Sequence, residues 1–312
     1  MQREPGESGG CGVSAADIRW TQSAQDFYPS SSRMIDRLRE LTVNAMIYAS
    51  LAKDEVLRRV GLLGEGGPCV HFIYLHHVFG DESAPFRELL GRLSRKVQFL
   101  SHSDAVSKVQ QGSIDRVYAS LSFDDGLVSC LEGARILEDF GARGCFFVCP
   151  AVVDRCHDPQ WIARWCRERL QKTPAKVMGW GDLEALQARG HEIGNHTLNH
   201  SNLAAATGST RSEEIGEARE QLVRKLGDSA GRHFAWPYGE ARHIDAEAVR
   251  DIMDAGHSSC SSAVRGVHVP GPARERCPVI LRNHAVFLRP VYATEFFMRR
   301  NIRNSLTEFR HQ

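Results

Sequence analysis

The sequence predicts an α/β fold built from repeated strand-then-helix units. Short, near-continuous apolar runs of strand length recur along it, among them residues 70–75, 117–123 and 145–148. Such runs read as strands buried on both faces. Segments with helical spacing lie between them, such as Leu127, Cys130, Leu131, Ile136, Leu137 and Phe140, with Gly141 as a C-terminal stop. Several of the runs also end abruptly in polar residues of catalytic type. Units of this kind imply parallel strands covered by helices, in either a barrel or an open sheet.

In chain order, residues 1–30 are rich in Gly, Ser, Pro and Gln and read as a flexible tail. Residues 31–68 read as one or two amphipathic helices, on Met34, Ile35, Leu38, Leu41, Ile47, Leu51, Val56 and Leu57, followed by a glycine-rich linker. The main domain spans 69–290. Its expected strands are 70–75, 97–100, 117–123, 145–148, 191–194, 233–237 and 279–281. Helices are expected over 84–93, 103–110, 127–140, 182–189 and 246–255. An insertion at 150–177 carries a helix around Trp161, Ile162, Trp165 and Leu170. Thr210-Arg211-Ser212-Glu213 reads as a capping box that opens a helix to Leu226. Residues 291–312 form a C-terminal helix with Tyr292, Phe296, Ile302, Leu306 and Phe309 on one side and Arg299, Arg300 and Arg303 among its polar residues. Docking on the main domain is the expected role of this helix, and peripheral membrane contact through 291–310 is the minority reading.

Composition is that of an ordinary globular protein, with 42% hydrophobic and 25% charged residues among 312. A net charge of +1 gives no reason to expect a nucleic-acid partner. No stretch approaches the roughly 18 apolar residues of a transmembrane segment. The N-terminus lacks the apolar core of a secretory signal. Nine cysteines, several inside apolar runs and none in a CxxC pair, fit reduced core thiols better than a disulfide framework or a cysteine zinc site. The expected location is cytoplasmic.

The chemistry gathers at four strand ends: Asp124-Asp125-Gly126, His196 with His200, Pro237-Tyr238, and Arg282-Asn283-His284. Adjacent residues at a strand end point in different directions, so the two aspartates can take different tasks. His196 and His200 lie four apart, and one helical turn after the strand would bring both imidazoles to one face. Two neutral imidazoles and a carboxylate suit a borderline divalent ion such as zinc and leave positions open for water and substrate.

Ser122-Phe123-Asp124-Asp125-Gly126, then His191-Glu192-Ile193-Gly194-Asn195-His196-Thr197-Leu198-Asn199-His200, then Phe234-Ala235-Trp236-Pro237-Tyr238-Gly239 resemble the motifs of the polysaccharide deacetylase family, carbohydrate esterase family 4. The resemblance covers roughly residues 70–290. It implies a distorted (β/α)7 barrel, with the site at the carboxyl ends of the strands. By position it implies Asp124 as general base, and Asp125, His196 and His200 as ligands of a divalent metal, zinc first, with cobalt or nickel also suited. A backbone N–H near Pro237-Tyr238 would help hold the oxyanion, His284 would protonate the leaving amine, and Trp236 and Tyr238 either offer faces for a sugar ring or serve equally as core or wall residues. Two departures stand out. The family often has an arginine two residues before the motif's proline, where it partners the catalytic aspartate. Ala235 stands there, and Arg282 is the expected substitute. The usual Leu-x-His of the last motif reads Arg282-Asn283-His284.

The function so implied is metal-dependent removal of an N-acetyl group from an amino sugar, with an N-acetylated glycan, glycolipid or nucleotide sugar as substrate. Without a signal, a biosynthetic intermediate is expected rather than finished polymer. Hydrolysis of a formamide or cyclic amide by the same site is the nearest alternative. A sugar-binding homologue without activity is a second, which Ala235 permits. A non-haem iron oxygenase ranks lowest, because its two histidines and acid are usually arranged differently along the chain.

Overall fold

The computed structural model describes residues 18–27, 34–59, 67–206, 208–272, 279–287 and 290–301. Its strands are β1 (Cys69–Leu75), β2 (Gln98–Phe99), β3 (Val117–Phe123), β4 (Gly144–Val148), β5 (Glu192–Asn195), β6 (His233–Ala235), β7 (Ser259–Ser261), β8 (Val279–Ile280) and β9 (Arg282–His284). The pairing order is β8-β7-β6-β5-β4-β3-β1-β9, with β2 beside β3, and every strand pair is parallel. Only Leu281 separates β8 from β9. Residues 279–284 are therefore one stave that pairs first with β7 and then, past Leu281, with β1. The sheet curls onto itself through this stave, which gives the distorted (β/α)7 barrel that the strand-and-helix alternation and the family resemblance imply.

Alternation along the staves sorts the side chains. Leu121 and Phe123 of β3, and Phe146 and Val148 of β4, join the main core under the outer helices. Their neighbours Ser120, Ser122, Cys145 and Phe147 point the other way, into the barrel. Ala235 of β6 and Ser259 and Ser261 of β7 continue that inner surface. Gly194 must be glycine, because a Cβ there would lie 2.4 Å from the Phe147 ring. So many small inward residues leave room for a long polar side chain to cross the lumen.

Helices follow the strands as expected, at Ser83–Leu93, His102–Gln111, Cys130–Asp139, Trp180–Ala188 and Ala246–Asp254. The helix expected from a cap at Thr210 starts instead at Gly208 and passes through a wide turn at Glu213–Glu217 before Ala218–Leu226. Residues 31–68 contain one unbroken helix, Met34–Arg59. It packs against the C-terminal helix Val291–Asn301, with Ile47 buried against Ala293 and Phe296. Val291 and Met298 face the barrel core, so this helix docks on the domain. Its expected positions Ile302, Arg303, Leu306 and Phe309, and the side chains of Arg299 and Arg300, lie outside the described residues.

The stretch 18–27, within the expected tail, packs on the barrel. Ile18, Ala24 and Phe27 are buried, the Ala24 N–H donates to the Asp81 carboxylate, and Phe27 meets the His77 and Phe79 rings at 4.8 and 5.8 Å. Composition marks a Ser- and Gln-rich stretch as tail, but three apolar side chains with a core to bury in are enough to anchor it.

Candidate active site

β3, paired with β1, carries the first pair of acids to the barrel rim. The Asp124 N–H donates to the Leu75 carbonyl at 2.9 Å, which continues the ladder one residue past the strand. The chain then turns sharply, with Asp125 at φ 70° and Gly126 at φ 67°. Aspartate tolerates this left-handed conformation better than most residues, and the turn sends the two carboxylates apart.

Asp124 points into the lumen and Arg282 of β9 comes to meet it. Nη1 and Nη2 donate one hydrogen bond to each carboxylate oxygen, both at 2.8 Å. Nη1 also reaches the Ser122 hydroxyl at 3.2 Å, and Nε donates to the Ser262 carbonyl at 2.7 Å. The guanidinium lies over the Tyr74 ring at 4.4 Å and near Phe147 at 5.4 Å. Arg282 is only 1% exposed. A two-pronged pair held on every side has one orientation, so the carboxylate is fixed before any substrate arrives. Ala235 leaves its own place on the lumen wall to the Phe147 ring.

Asp125 faces His196 and His200. Its Oδ1 is 3.4 Å from Nε2 of His196 and 3.2 Å from Nε2 of His200. His196 Nδ1 lies 2.7 Å from the Ala235 carbonyl, which can only accept, so Nδ1 donates there and the ring is turned with Nε2 toward Asp125. The two histidines do not sit on a helical turn, contrary to the spacing argument. Residues 196–200 form an irregular loop with Thr197 at φ 66° and His200 at φ 62°. Asn195 holds its start: Oδ1 accepts from the Thr197 N–H and Nδ2 donates to the Ile215 carbonyl. Glu214 holds its end, accepting from the Asn199 N–H at 3.0 Å and from its side-chain amide at 3.3 Å. Asn195 and Glu214 were not singled out from sequence. Asn195 lies inside the histidine motif and could have been flagged there, whereas Glu214 falls just past the expected capping box and belongs to no motif.

The charges agree with this geometry. Burial alone would raise Asp125, but the hydrogen bonds of His196 and His200 hold its carboxyl well below the usual carboxylate range. For His196, burial is outweighed by Asp125 and the ring is raised. For His200 burial wins and the ring is lowered. One ligand atom from each of Asp125, His196 and His200 falls within 4.8 Å of the others, and all three residues are buried. Asp125 Oδ1 has no hydrogen-bond partner beyond the two imidazoles it faces. A buried carboxylate oxygen aimed between two imidazole nitrogens is a donor set for a divalent cation, so these residues fit a metal of the borderline class.

The other expected site residues divide. Tyr238 sits at the mouth, 39% exposed and at φ 63°, with its hydroxyl donating to the Arg169 carbonyl at 3.2 Å. It follows Pro237, and Gly239 locks the loop, since a Cβ there would lie 2.2 Å from that of Ala263. Trp236 corrects the expectation of a sugar platform. It is 1% exposed, packed with Leu203, Ile215 and Phe234, and its indole N–H donates to the Glu240 carbonyl. Outward alternation on β6 puts it in the core. His284 stands behind His76, with Nε2 3.0 Å from His76 Nδ1 and its ring stacked on Tyr74. Burial and the neighbouring His76 push His284 well below the ordinary histidine range.

His76, just past the end of β1, is the imidazole that lines the cavity beside Asp125. This space of about 100 Å³ is bounded by Phe27, His76, Asp125, Arg169, Leu170, Lys172, His200 and Tyr238. It amounts to about three waters' share of liquid volume. That suits an acyl group and its amide, and a sugar ring would lie outside at the rim. Phe27 brings the N-terminal segment into the wall of the site.

Residues 112–259 match the model of the family described as polysaccharide deacetylase. Among solved structures, the chain is similar to a Streptococcus pyogenes deacetylase, PplD, determined in complex with acetate. The identity is 14% and the TM-score 0.58, over 74% of this chain and 99% of that one. It is also similar to IcaB from Ammonifex degensii, at 19% identity and TM-score 0.57, over 74% of this chain and 98% of that one. A polysaccharide deacetylase from Bacillus cereus, BC0361, matches at 15% identity and TM-score 0.53, over 75% of this chain and 72% of that one. At these identities the structural likeness speaks for the fold, and the sequence match speaks for the family. The matched residues include Asp124, Asp125, His196, His200, Pro237 and Tyr238, so the stretch that carries the site is the stretch similar to a polysaccharide deacetylase domain.

Proposed function

We propose that the protein hydrolyses the N-acetyl amide of an amino sugar at this rim, with Asp125, His196 and His200 holding a divalent metal, zinc in the first place. The observation that carries the reading is the adjacency of two differently prepared carboxylates, Asp125 between two imidazoles and Asp124 in the two-pronged grip of Arg282. A bound divalent ion acidifies water and polarises an acyl oxygen.

Asp124 takes the role of base. Arg282 occupies one lone-pair direction on each oxygen, so a carboxylate with about four acceptor sites still has capacity for the proton of an attacking water. The backbone N–H of Tyr238, on a loop that Gly239 makes rigid, supplies a donor for the developing oxyanion. The departing amine needs a proton, and the His76–His284 pair supplies it: His76 borders the cavity and His284 orients it from behind. Acetate and the free amino sugar are the products. The seven cysteines among the described residues are outside any disulfide and six of them are buried, which supports a reducing, cytoplasmic setting.

An acetate-release screen across N-acetylated glycosides, glycolipids and nucleotide sugars tests the reading. Turnover should need added zinc, cobalt or nickel after chelation. It should fall by about 10²-fold or more in Asp124→Asn, the scale of losing a general base. Release of formate but not acetate would move the reading to a formamide. Metal binding without any turnover would leave a sugar-binding protein.

A further inference from the structure

We infer that His257 is a positioning residue for the metal set: it fixes the side-chain amide of Asn195, and Asn195 fixes the loop that carries His196 and His200. The inference rests on the metal reading of Asp125, His196 and His200, and adds a residue that lies 62 positions from Asn195 and outside every motif at the strand ends.

Both histidines of the set stand on a loop with two residues in the left-handed region, Thr197 at φ 66° and His200 at φ 62°. Residues other than glycine rarely adopt that conformation unless their surroundings impose it. Asn195, fully buried at the end of β5, imposes it at the entrance. Its Oδ1 accepts from the Thr197 N–H at 2.9 Å and its Nδ2 donates to the Ile215 carbonyl at 3.0 Å. The Thr197 N–H can only donate and the Ile215 carbonyl can only accept, so the amide has one orientation. That orientation commits one hydrogen of Nδ2 to Ile215. The other is left for His257, whose Nε2 lies 3.3 Å away.

His257 is prepared as the acceptor. Its Nδ1 lies 2.7 Å from the Gly231 carbonyl, so Nδ1 donates there. Burial pushes the ring down to about 4, so near neutrality Nε2 carries a lone pair for the Asn195 amide. The ring itself is held. It is 4% exposed and stands edge-on to Phe234 at 5.1 Å, and Gly231 donates its own N–H to the Ile193 carbonyl of β5 at 2.8 Å. The wide turn Glu213–Glu217 supports the same loop, with the Ile215 carbonyl on Asn195 and the Glu214 carbonyl accepting from the Leu198 N–H at 2.9 Å. A benzyl group in place of the imidazole would fill similar space but leave one Nδ2 hydrogen buried with no acceptor. Such a donor costs more than an ordinary hydrogen bond returns, and turning the amide to relieve it would release Thr197.

Zinc binding to the metal-stripped full chain, read by calorimetry, tests this. His257→Phe should weaken zinc by about tenfold, the lower end of the range for removing a group that orients a metal ligand. His257→Gln keeps an amide that can donate toward Gly231 and accept from Asn195, and should recover most of that loss. Asn195→Ala should weaken zinc by at least as much, and His257→Phe added to it should change the affinity no further, because the route between them is gone. His71→Phe removes another buried imidazole, one that meets Cys69, and should leave zinc affinity at the wild-type value. An affinity in His257→Phe within about twofold of wild type would overturn the inference and leave the metal reading standing, as would full additivity with Asn195→Ala or an equal loss in His71→Phe. NMR of the imidazole nitrogens of the wild type needs no variant to fold. His257 should carry its proton on Nδ1 near neutral pH, and a proton on Nε2 would overturn the inference. A wild type that binds none of zinc, cobalt and nickel would overturn the metal reading itself, and this inference with it.

Discussion

Replacing Arg282 by methionine removes a guanidinium that gives four hydrogen bonds inside the barrel and leaves Asp124 with no countercharge. Both partners are almost wholly buried, at 1% and 5% side-chain exposure, so solvent cannot take over. Breaking such a pair costs about 3–5 kcal/mol, since the surviving charge stays in a medium that solvates it poorly. For a domain of this size that corresponds to a fall of roughly 6–20 °C in Tm. Adding Asp124→Asn should recover a large part of the loss, because the orphaned charge goes with it. Urea unfolding of the metal-free single and double variants measures both quantities. The reasoning fails if the single variant loses under about 1 kcal/mol, or if the double variant is as unstable as the two single losses added together.

Asp125→Ala should abolish specific zinc binding measured by calorimetry, and zinc at about 100 times its Kd should stabilise the wild type, but not the variant, by about 2.7 kcal/mol. Stability should fall in acid through three buried histidines. Burial pushes His71 down to about 4, His233 to about 3 and His257 to about 4. The unfolded state takes up protons first, so stability is full above about pH 6.5 and drains away as pH falls toward 4, by up to about 2 kcal/mol per histidine at pH 5. Urea midpoints at pH 7 and 5 would read this, and equal midpoints would contradict it. Gly239→Ala should cost about 2 kcal/mol or more, because it combines a left-handed φ of 64° with a Cβ 2.2 Å from Ala263; a Tm unchanged within a degree would refute that contact.

The parallel barrel and the placement of the two histidines near Asp125 were legible because each rests on a local pattern: apolar runs, helical spacing, and polar residues at strand ends. What sequence could not supply was the geometry after the strands. HxxxH spacing suggested a helical turn, and the structure uses two left-handed residues and an Asn195 side chain instead. Trp236 has the composition of a sugar platform, but strand alternation turns it into the core. Nothing in the sequence around His76 says that β1 lies between β3 and β9, which is what sets it beside both Asp125 and His284. Phe27 is the hardest case. It sits in a stretch with the composition of a tail, and only the barrel surface it packs on gives it a place.

The stave at residues 279–284 joins the first strand to the seventh and also carries the partner of Asp124, 158 residues away in sequence. Closing the barrel and arming the base are thus one event. Before that event an open sheet already contains β3 and β5, and with them Asp125, His196 and His200, so the metal set can come together on a chain that is still unfinished. Closing a loop over so long a span costs chain entropy before its contacts repay it. An incompletely folded chain of this protein could therefore take up a metal without hydrolysing an amide, since the hydrolytic arrangement exists only once the last stave is seated.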